Sequence, residues 1–400
     1  MNLKNKSLLP LKLKCLLLLA LIGGTCAAQK SMSRIEADKL AVQQWNKEKQ
    51  ILTPAARKVW NEGVIKFKQY QMAIAYRVFG TKPPAGRSLY ISLHGGGNAP
   101  VAVNDQQWEN QRTLYNIKEG LVIVPRAPTN TWNLWHEDHI DNFIDSLIRY
   151  SVVMEDVDPD KVYIMGYSAG GDGVFQLAPR MADRFAAASM MAGHPGDAEM
   201  RNLRNLPFSI FIGGLDSAYN RNKLAIKYNK KLDSLHRSDT KGFDHQFHLY
   251  PDKPHWLDHQ DTIAISWMSG YKRYTFPEKV VWIQDNRLQN RFYWLSAPLE
   301  SAKVGDAAEV SRKGNIITIS HNSFDVLEIN LNDVLVNLDQ PITIIEDGKV
   351  LFHKKLNRNF ETIKQSVKQY QDPRLIFSTK LVISNRKVNE KKSFKSKLRK

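Results

Sequence analysis

Cysteine is almost absent: the 400 residues contain only Cys15 and Cys26. A chain cut after Ala28 carries none, which excludes a disulfide framework, a thiolate metal centre and a cysteine nucleophile. An apolar run long enough to span a membrane is missing too. The stretch from Cys15 to Ile22 is too short to cross a bilayer. Lys4, Lys6, Lys12 and Lys14 precede it and the small residues Gly23 to Ala28 follow, an order that reads as a secretory signal peptide over residues 1–28. Cys26 lacks the upstream leucine of a bacterial lipoprotein signal, so lipid anchoring is the minor alternative. An exported chain without disulfides points to a bacterial periplasm or exterior.

Acidic residues are in deficit, 40 against 57 Lys and Arg, for a net charge of +17. Much of that excess sits at the ends. The leader carries four positive charges and "RKVNEKKSFKSKLRK", residues 386–400, carries a net seven, leaving +6 for residues 29–385. The tail has few apolar residues and reads as a disordered basic segment. Nothing calls for a nucleic-acid partner, since no ordered surface mixes basic and aromatic residues. Internal repeats are lacking, as are an H-E-x-x-H pattern and the lysine of a phosphate-binding loop, so neither a metal nor another cofactor is expected.

What is present is an alternation of buried-strand and amphipathic-helix patterns. Residues 29–71 read as an N-terminal helical segment, with a second helix starting at Thr53-Pro54. Over 72–275, runs such as "SLYISLHG", "GLVIVPR", "KVYIMG" and "FSIFIGG" alternate with helices. In "HIDNFIDSLIRYSVVM", Ile140, Phe143, Ile144, Leu147 and Ile148 share one helical face. This is α/β patterning: a doubly wound, mostly parallel sheet, whose ligands bind at the carboxyl ends of the strands. From Lys279 to about 385 short strands predominate, with Asp347-Gly348 at a hairpin position and a helix-like "FETIKQSVKQY". A smaller, sandwich-like all-β domain of accessory role is expected there.

In "KVYIMGYSAGGDGVFQLA" a strand pattern ends near Gly166 and a helix pattern follows. Ser168 sits on the turn, with Gly166 and Gly170 two positions to either side. A sharp strand-to-helix turn of this kind strains its central residue and demands small neighbours, the condition for an exposed nucleophilic serine. A second cluster, His94-Gly95-Gly96-Gly97, follows another strand. Acyl transfer needs backbone N–H groups aimed at an oxyanion, and glycines present them without obstruction. The N–H of Ala169 and one from Gly96 or Gly97 are the candidate donors. His94 is read as bracing that loop.

These two motifs resemble the α/β-hydrolase family over roughly residues 72–272, in texture its poly(hydroxyalkanoate) depolymerase, feruloyl esterase and dienelactone hydrolase neighbourhood. The family's order of nucleophile, acid and histidine implies Asp216, just past "FSIFIGG", and His255 in "HLYPDKPHWLDHQ", with His259 as second candidate. By that resemblance Ser168 attacks, His255 moves the proton and Asp216 orients the imidazole.

Trp108, Trp132, Trp135, His136 and His194 lie on segments that lead to the same edge and are candidate substrate contacts, suited to sugar rings or aromatic acyl groups. The leading reading is an exported serine hydrolase acting on esters, with carbohydrate-linked or aromatic esters as substrates. The alternatives are a serine peptidase similar to the prolyl oligopeptidase group and a non-catalytic polymer-binding protein on a hydrolase scaffold.

Overall fold

The computed structural model describes residues 32–384 and 387–390, so the leader and nearly all of the basic tail lie outside the described residues. The described residues belong to one compact unit. It opens with α1 (Arg34–Glu62), capped by Ser33, whose hydroxyl accepts from the Glu36 N–H. Where the sequence suggests two helices, the chain forms one that runs through Thr53-Pro54. Thr53 Oγ1 donates to Lys49 O at 2.6 Å. Leu52 and Ala56, on either side of the proline, are buried in one cluster with Val153. That packing outweighs the missing proline N–H. Gly63, at φ 66, ends the helix. The next residues, read as helical from sequence, instead form β1 (Val64–Phe67), an antiparallel hairpin with β2 (Tyr70–Phe79).

There follow β3 (Arg87–Leu93), α2 (Val101–Leu114), β4 (Gly120–Pro125), α3 (Ile140–Met154), β5 (Val157–Tyr167) and α4 (Ala169–Arg180). The series closes with β6 (Ala187–Met191), β7 (Phe208–Gly213), α5 (Arg221–Ser238), β8 (His245–Tyr250) and α6 (Ile263–Met268). Eight strands form one sheet in the order β1-β2-β4-β3-β5-β6-β7-β8. The β2–β4 pair is antiparallel and the pairs from β4 through β8 are parallel. Every residue of β4, β6 and β7 is buried, as expected of parallel strands covered on both faces. The five apolar residues of α3 picked out by their spacing are all buried. The architecture is the α/β-hydrolase fold.

The C-terminal part is built of two five-stranded sheets. One contains β9 (Lys279–Ile283), β12 (Ala307–Lys313), β13 (Ile316–Asn322), β15 (Ile342–Glu346) and β16 (Lys349–Lys354). The other contains β10 (Arg291–Phe292), β11 (Leu295–Ser296), β14 (Val326–Leu331), β17 (Thr379–Ser384) and β18 (Lys387–Glu390). The helix α7 (Phe360–Tyr370) precedes β17. Trp282 of the first sheet stacks on Phe292 of the second at 6.0 Å and tilts against Phe324 at 4.7 Å. Asp347 and Gly348 turn the chain between β15 and β16 with φ of 50° and 74°, the geometry Asp-Gly favours in a two-residue hairpin.

Specific polar contacts join these sheets to the hydrolase core. The Asn202 side chain accepts from Ile283 N–H at 2.8 Å and donates to Ile283 O at 2.9 Å. Arg273, almost fully buried, donates to Asp160 at 2.8 Å, to Asp183 O at 3.0 Å and to Asp372 at 2.7 Å. A buried cation between two carboxylates is costly to remove, because the acids then lack compensation. Arg273→Met should therefore cost about 3–5 kcal/mol of unfolding free energy, measured by urea denaturation. An unchanged midpoint would show that this clamp contributes nothing.

Candidate active site

Ser168 lies between the end of β5 and the start of α4 with φ 58 and ψ −121, a conformation that costs an L-residue on the order of 1–3 kcal/mol. Its N–H donates to Met191 O at 2.9 Å, and its carbonyl accepts from Asp172 N–H at 2.9 Å. A side chain at Gly166 would meet Gly170 O at 2.3 Å, and one at Gly170 would meet Leu93 O at 2.1 Å. Both glycines are thus required by close backbone approach, which holds the strained residue in place.

The Ser168 hydroxyl donates to His255 Nε2 at 2.9 Å, and His255 Nδ1 donates to Asp216 Oδ2 at 2.8 Å. The Asp216 side chain is 1% exposed and that of His255 41%, so the acid is sheltered while the imidazole faces the solvent side. Tyr167, next to the serine, holds the histidine loop. Its hydroxyl donates to His255 O at 2.6 Å and accepts from Leu257 N–H at 2.9 Å. Sequence reasoning passed over this tyrosine, since nothing local distinguishes it from a buried strand residue. His259 is exposed and its ring lies against Trp256 at 5.0 Å.

The glycine loop is braced from behind. His94 is fully buried; its Nδ1 donates to Gly95 O at 2.6 Å and its Nε2 accepts from Ala127 N–H at 3.1 Å. Burial pushes this imidazole down to about 4, so it is a neutral strut. In a trans peptide the N–H opposes the carbonyl, so anchoring Gly95 O turns the Gly96 N–H away from His94. Gly96 N–H has no acceptor among the described residues. Gly97 differs from expectation as a donor. Its N–H is already given to Asn104 Oδ1 at 2.8 Å, and Asn104, fully buried on α2, also donates to Ala99 O. Asn104 gave no signal in the sequence. A side chain at Gly96 would meet its Oδ1 at 2.2 Å. Ala169 begins α4, where the first N–H groups have no partner within the helix.

The aromatic candidates separate by burial. Trp135, expected at the substrate edge, has no exposed surface; it donates to His94 O at 2.8 Å and packs edge-on against that ring. Trp108 also lies elsewhere than expected, half-buried against a cluster that includes Tyr115, Val122 and Val124, with its indole N–H on Val124 O. Both turn inward because their indole N–H groups find backbone carbonyls there. Trp132 is 68% exposed, with the half-buried His136 ring 5.3 Å away. Burial lowers His136 to about 4, with Arg180 and Arg287 acting in the same direction. Tyr219 and Trp256, which follow Asp216 and His255 closely, are 76% and 43% exposed and were not foreseen. His194 is half-buried, and its backbone N–H donates to Asp172 Oδ1 at 2.6 Å. Among the described residues no group of His, Cys, Asp and Glu is disposed to hold a metal.

A model of the Dienelactone hydrolase family matches residues 124–274, a span that includes Ser168, Asp216 and His255. Over 125 residues the chain is 28% identical to Feruloyl esterase B of Thermothelomyces thermophilus, covering 28% of this chain and 40% of that protein. It therefore spans about two fifths of that relative's length. Among solved structures, a thermostable esterase shares 18% identity at a TM-score of 0.39, covering 52% of this chain and 62% of the other. Est1E of Butyrivibrio proteoclasticus, with ferulic acid bound, shares 13% identity at a TM-score of 0.33, covering 52% of this chain and 96% of the other.

Asp172, one turn into α4, is pushed up to about 6 by burial, which outweighs the His194 N–H bond and the attraction of Arg221 and His255. Between its ordinary value of 3.8 and about 6 the folded protein binds more protons here than the unfolded chain. The stability owed to this group is therefore full below pH 4 and is lost as pH rises through 6. Asp172→Asn should gain roughly 2–3 kcal/mol relative to wild type between pH 4 and pH 7 in denaturant titrations. A difference that does not vary with pH would mean that Asp172 ionises as an ordinary carboxylate.

Proposed function

We propose that this protein is a serine carboxylic ester hydrolase working through an acyl-enzyme. The observation that carries the reading is the hydrogen-bonded series from Ser168 Oγ to His255 Nε2 at 2.9 Å and from His255 Nδ1 to Asp216 at 2.8 Å, centred on a strained serine. The similarity to the Dienelactone hydrolase family and to Feruloyl esterase B supports it.

Ser168 Oγ attacks the ester carbonyl as its proton passes to His255 Nε2. The imidazolium is stabilised and kept in orientation by the sheltered Asp216 carboxylate. Negative charge develops on the carbonyl oxygen, and the N–H groups of Ala169 and Gly96 are the donors offered to it. Collapse of the tetrahedral intermediate breaks the C–O bond, and His255 returns its proton to the leaving alkoxide. Water then gives a proton to His255 and attacks the acyl-serine; its collapse releases the acid and restores the serine hydroxyl.

Exposed Trp132, Tyr219 and Trp256 favour substrates with a flat face, aromatic acyl groups or sugar-linked esters. The leader composition favours export to the periplasm or exterior of a bacterium.

Wild type should hydrolyse p-nitrophenyl acetate and methyl ferulate and take up a fluorophosphonate, and Ser168→Ala should do neither while keeping its fold. Labelling of the alanine variant would place the nucleophile elsewhere. Cleavage of a proline-containing peptide substrate but no ester would favour a peptidase, and inertness of a folded wild type a binding role. His255→Ala should lower kcat by several orders of magnitude and His259→Ala should leave it near wild type; the reverse result would assign the base to His259.

A further inference from the structure

The loop 284–289, which leaves the end of β9, belongs in sequence to the C-terminal sheets but is built to hold one shape. The buried Gln284 side chain accepts from Gln289 N–H at 2.8 Å and donates to Gln289 O at 2.6 Å, and Arg287 N–H donates to Asp285 Oδ1 at 2.8 Å. The base of the loop is pinned by the two bonds between Asn202 and Ile283. Its far end is docked on α3, where Gln289 Nε2 donates to Asp141 Oδ2 at 2.7 Å. Polar groups paired within the loop and an anchor at each end leave it little conformational freedom to lose when a ligand binds.

The tip of this loop reaches two segments that border the catalytic groups. Asn286 Nδ2 donates to Asp197 Oδ2 at 3.0 Å, in the segment 192–199 that follows β6. Arg287 forms an ion pair with Asp138 and donates to His136 O at 3.4 Å, in the segment 126–139 that follows β4. Neither segment contains a helix or a strand. In the sheet, β4 and β6 flank β3 and β5, whose ends carry the glycine loop and Ser168. The segment after β4 backs the glycine loop, since a side chain at Gly97 would meet Leu134 Cδ2 at 3.1 Å and Thr131 O at 3.2 Å. The segment after β6 lies on the first turn of α4. A side chain at Gly171 would meet Gly193 Cα at 3.0 Å, and His194 N–H donates to Asp172 Oδ1 at 2.6 Å.

We propose that Asn286 and Arg287 are positioning residues for substrate selection: by tying the segments after β6 and β4 to one rigid loop, they fix the spacing of the two sides of the ester-binding cleft. The C-terminal sheets thereby take part in choosing the substrate while supplying no reacting group. The inference rests on the reaction assigned to Ser168. An ester small on both sides of its carbonyl needs only the serine, the imidazole and the oxyanion donors. A bulky one must also lie against the flanking segments, among them the part that carries Trp132 and His136, and it bears the cost of ordering them if they are loose.

The test compares the full-length wild type with the Asn286→Ala/Arg287→Ala double variant, in which Gln289 still docks the loop on α3. Three esters are used: methyl acetate, methyl ferulate with an enlarged acyl side, and p-nitrophenyl acetate with an enlarged alcohol side. In the variant, kcat/KM for methyl acetate should stay within about twofold. For methyl ferulate or p-nitrophenyl acetate it should fall about fivefold, the loss appearing in KM. Hydrogen exchange of the free protein, followed by mass spectrometry, should speed up about fivefold in residues 131–138 and 193–198, with the melting temperature unchanged because the opening is local. An equal loss on all three esters would overturn the proposal, since the ties would then act on the triad or on the fold as a whole. So would unaltered exchange in both segments, or bulky esters turned over as before. A wild type inert to all three esters would instead refute the reaction assigned to Ser168, and the inference with it.

Discussion

Three backbone segments meet beneath Ser168, and the site depends on how closely they do so. The end of β3, the end of β5 and the first turn of α4 come together where Gly170 lies against Leu93 O and Gly166 against Gly170 O, at separations that leave no room for a Cβ. The contact forces the serine into φ 58 and lifts its hydroxyl clear of the sheet. It also brings the glycine loop alongside, since a side chain at Gly95 would meet Ser168 Cβ at 3.3 Å. The strain is sustained by the packing of the whole sheet, not by the turn itself.

Each group around the serine is then supplied by a different strand end and fixed by its own buried brace. His94, Asn104 and Trp135 secure the glycine loop through bonds to its carbonyls and one N–H. Tyr167 secures the histidine loop. These braces are polar groups satisfied inside the protein, so each loop has one favoured arrangement and any other leaves a buried donor or acceptor unpaired. The C-terminal sheets are joined by the same means on a larger scale, through Arg273 and Asn202. Removing one partner of a buried pair strands the other charge, and the Arg291–Asp145 pair at 2.9 Å ties the segment Asn286–Arg291 to α3.

Much of this was legible residue by residue. The alternation of apolar runs, the α3 face, the Asp347-Gly348 turn and the glycines about Ser168 are local patterns, and each answers to a steric or burial rule acting over a few residues. The helix that continues through Pro54 was not legible, because Leu52 and Ala56 gain more from burial against Val153 than the proline costs. Nor were the roles of Trp108 and Trp135. In sequence they are loop or helix-end aromatics like Trp132, and only the carbonyls of Val124 and His94 draw them inward.

By itself, then, the sequence determined that a parallel sheet would form and that the chain would turn sharply at Ser168, because hydrophobic period and the absence of a Cβ act locally. The pairing of Asp216 and His255 with that serine followed from resemblance in residue order, not from any local rule. The tertiary structure alone decided which N–H groups of the glycine loop are taken up and which indoles face solvent. Those properties belong to contacts between segments far apart in the chain, as when Asn104 takes up the Gly97 N–H or Arg273 spans Asp160 and Asp372.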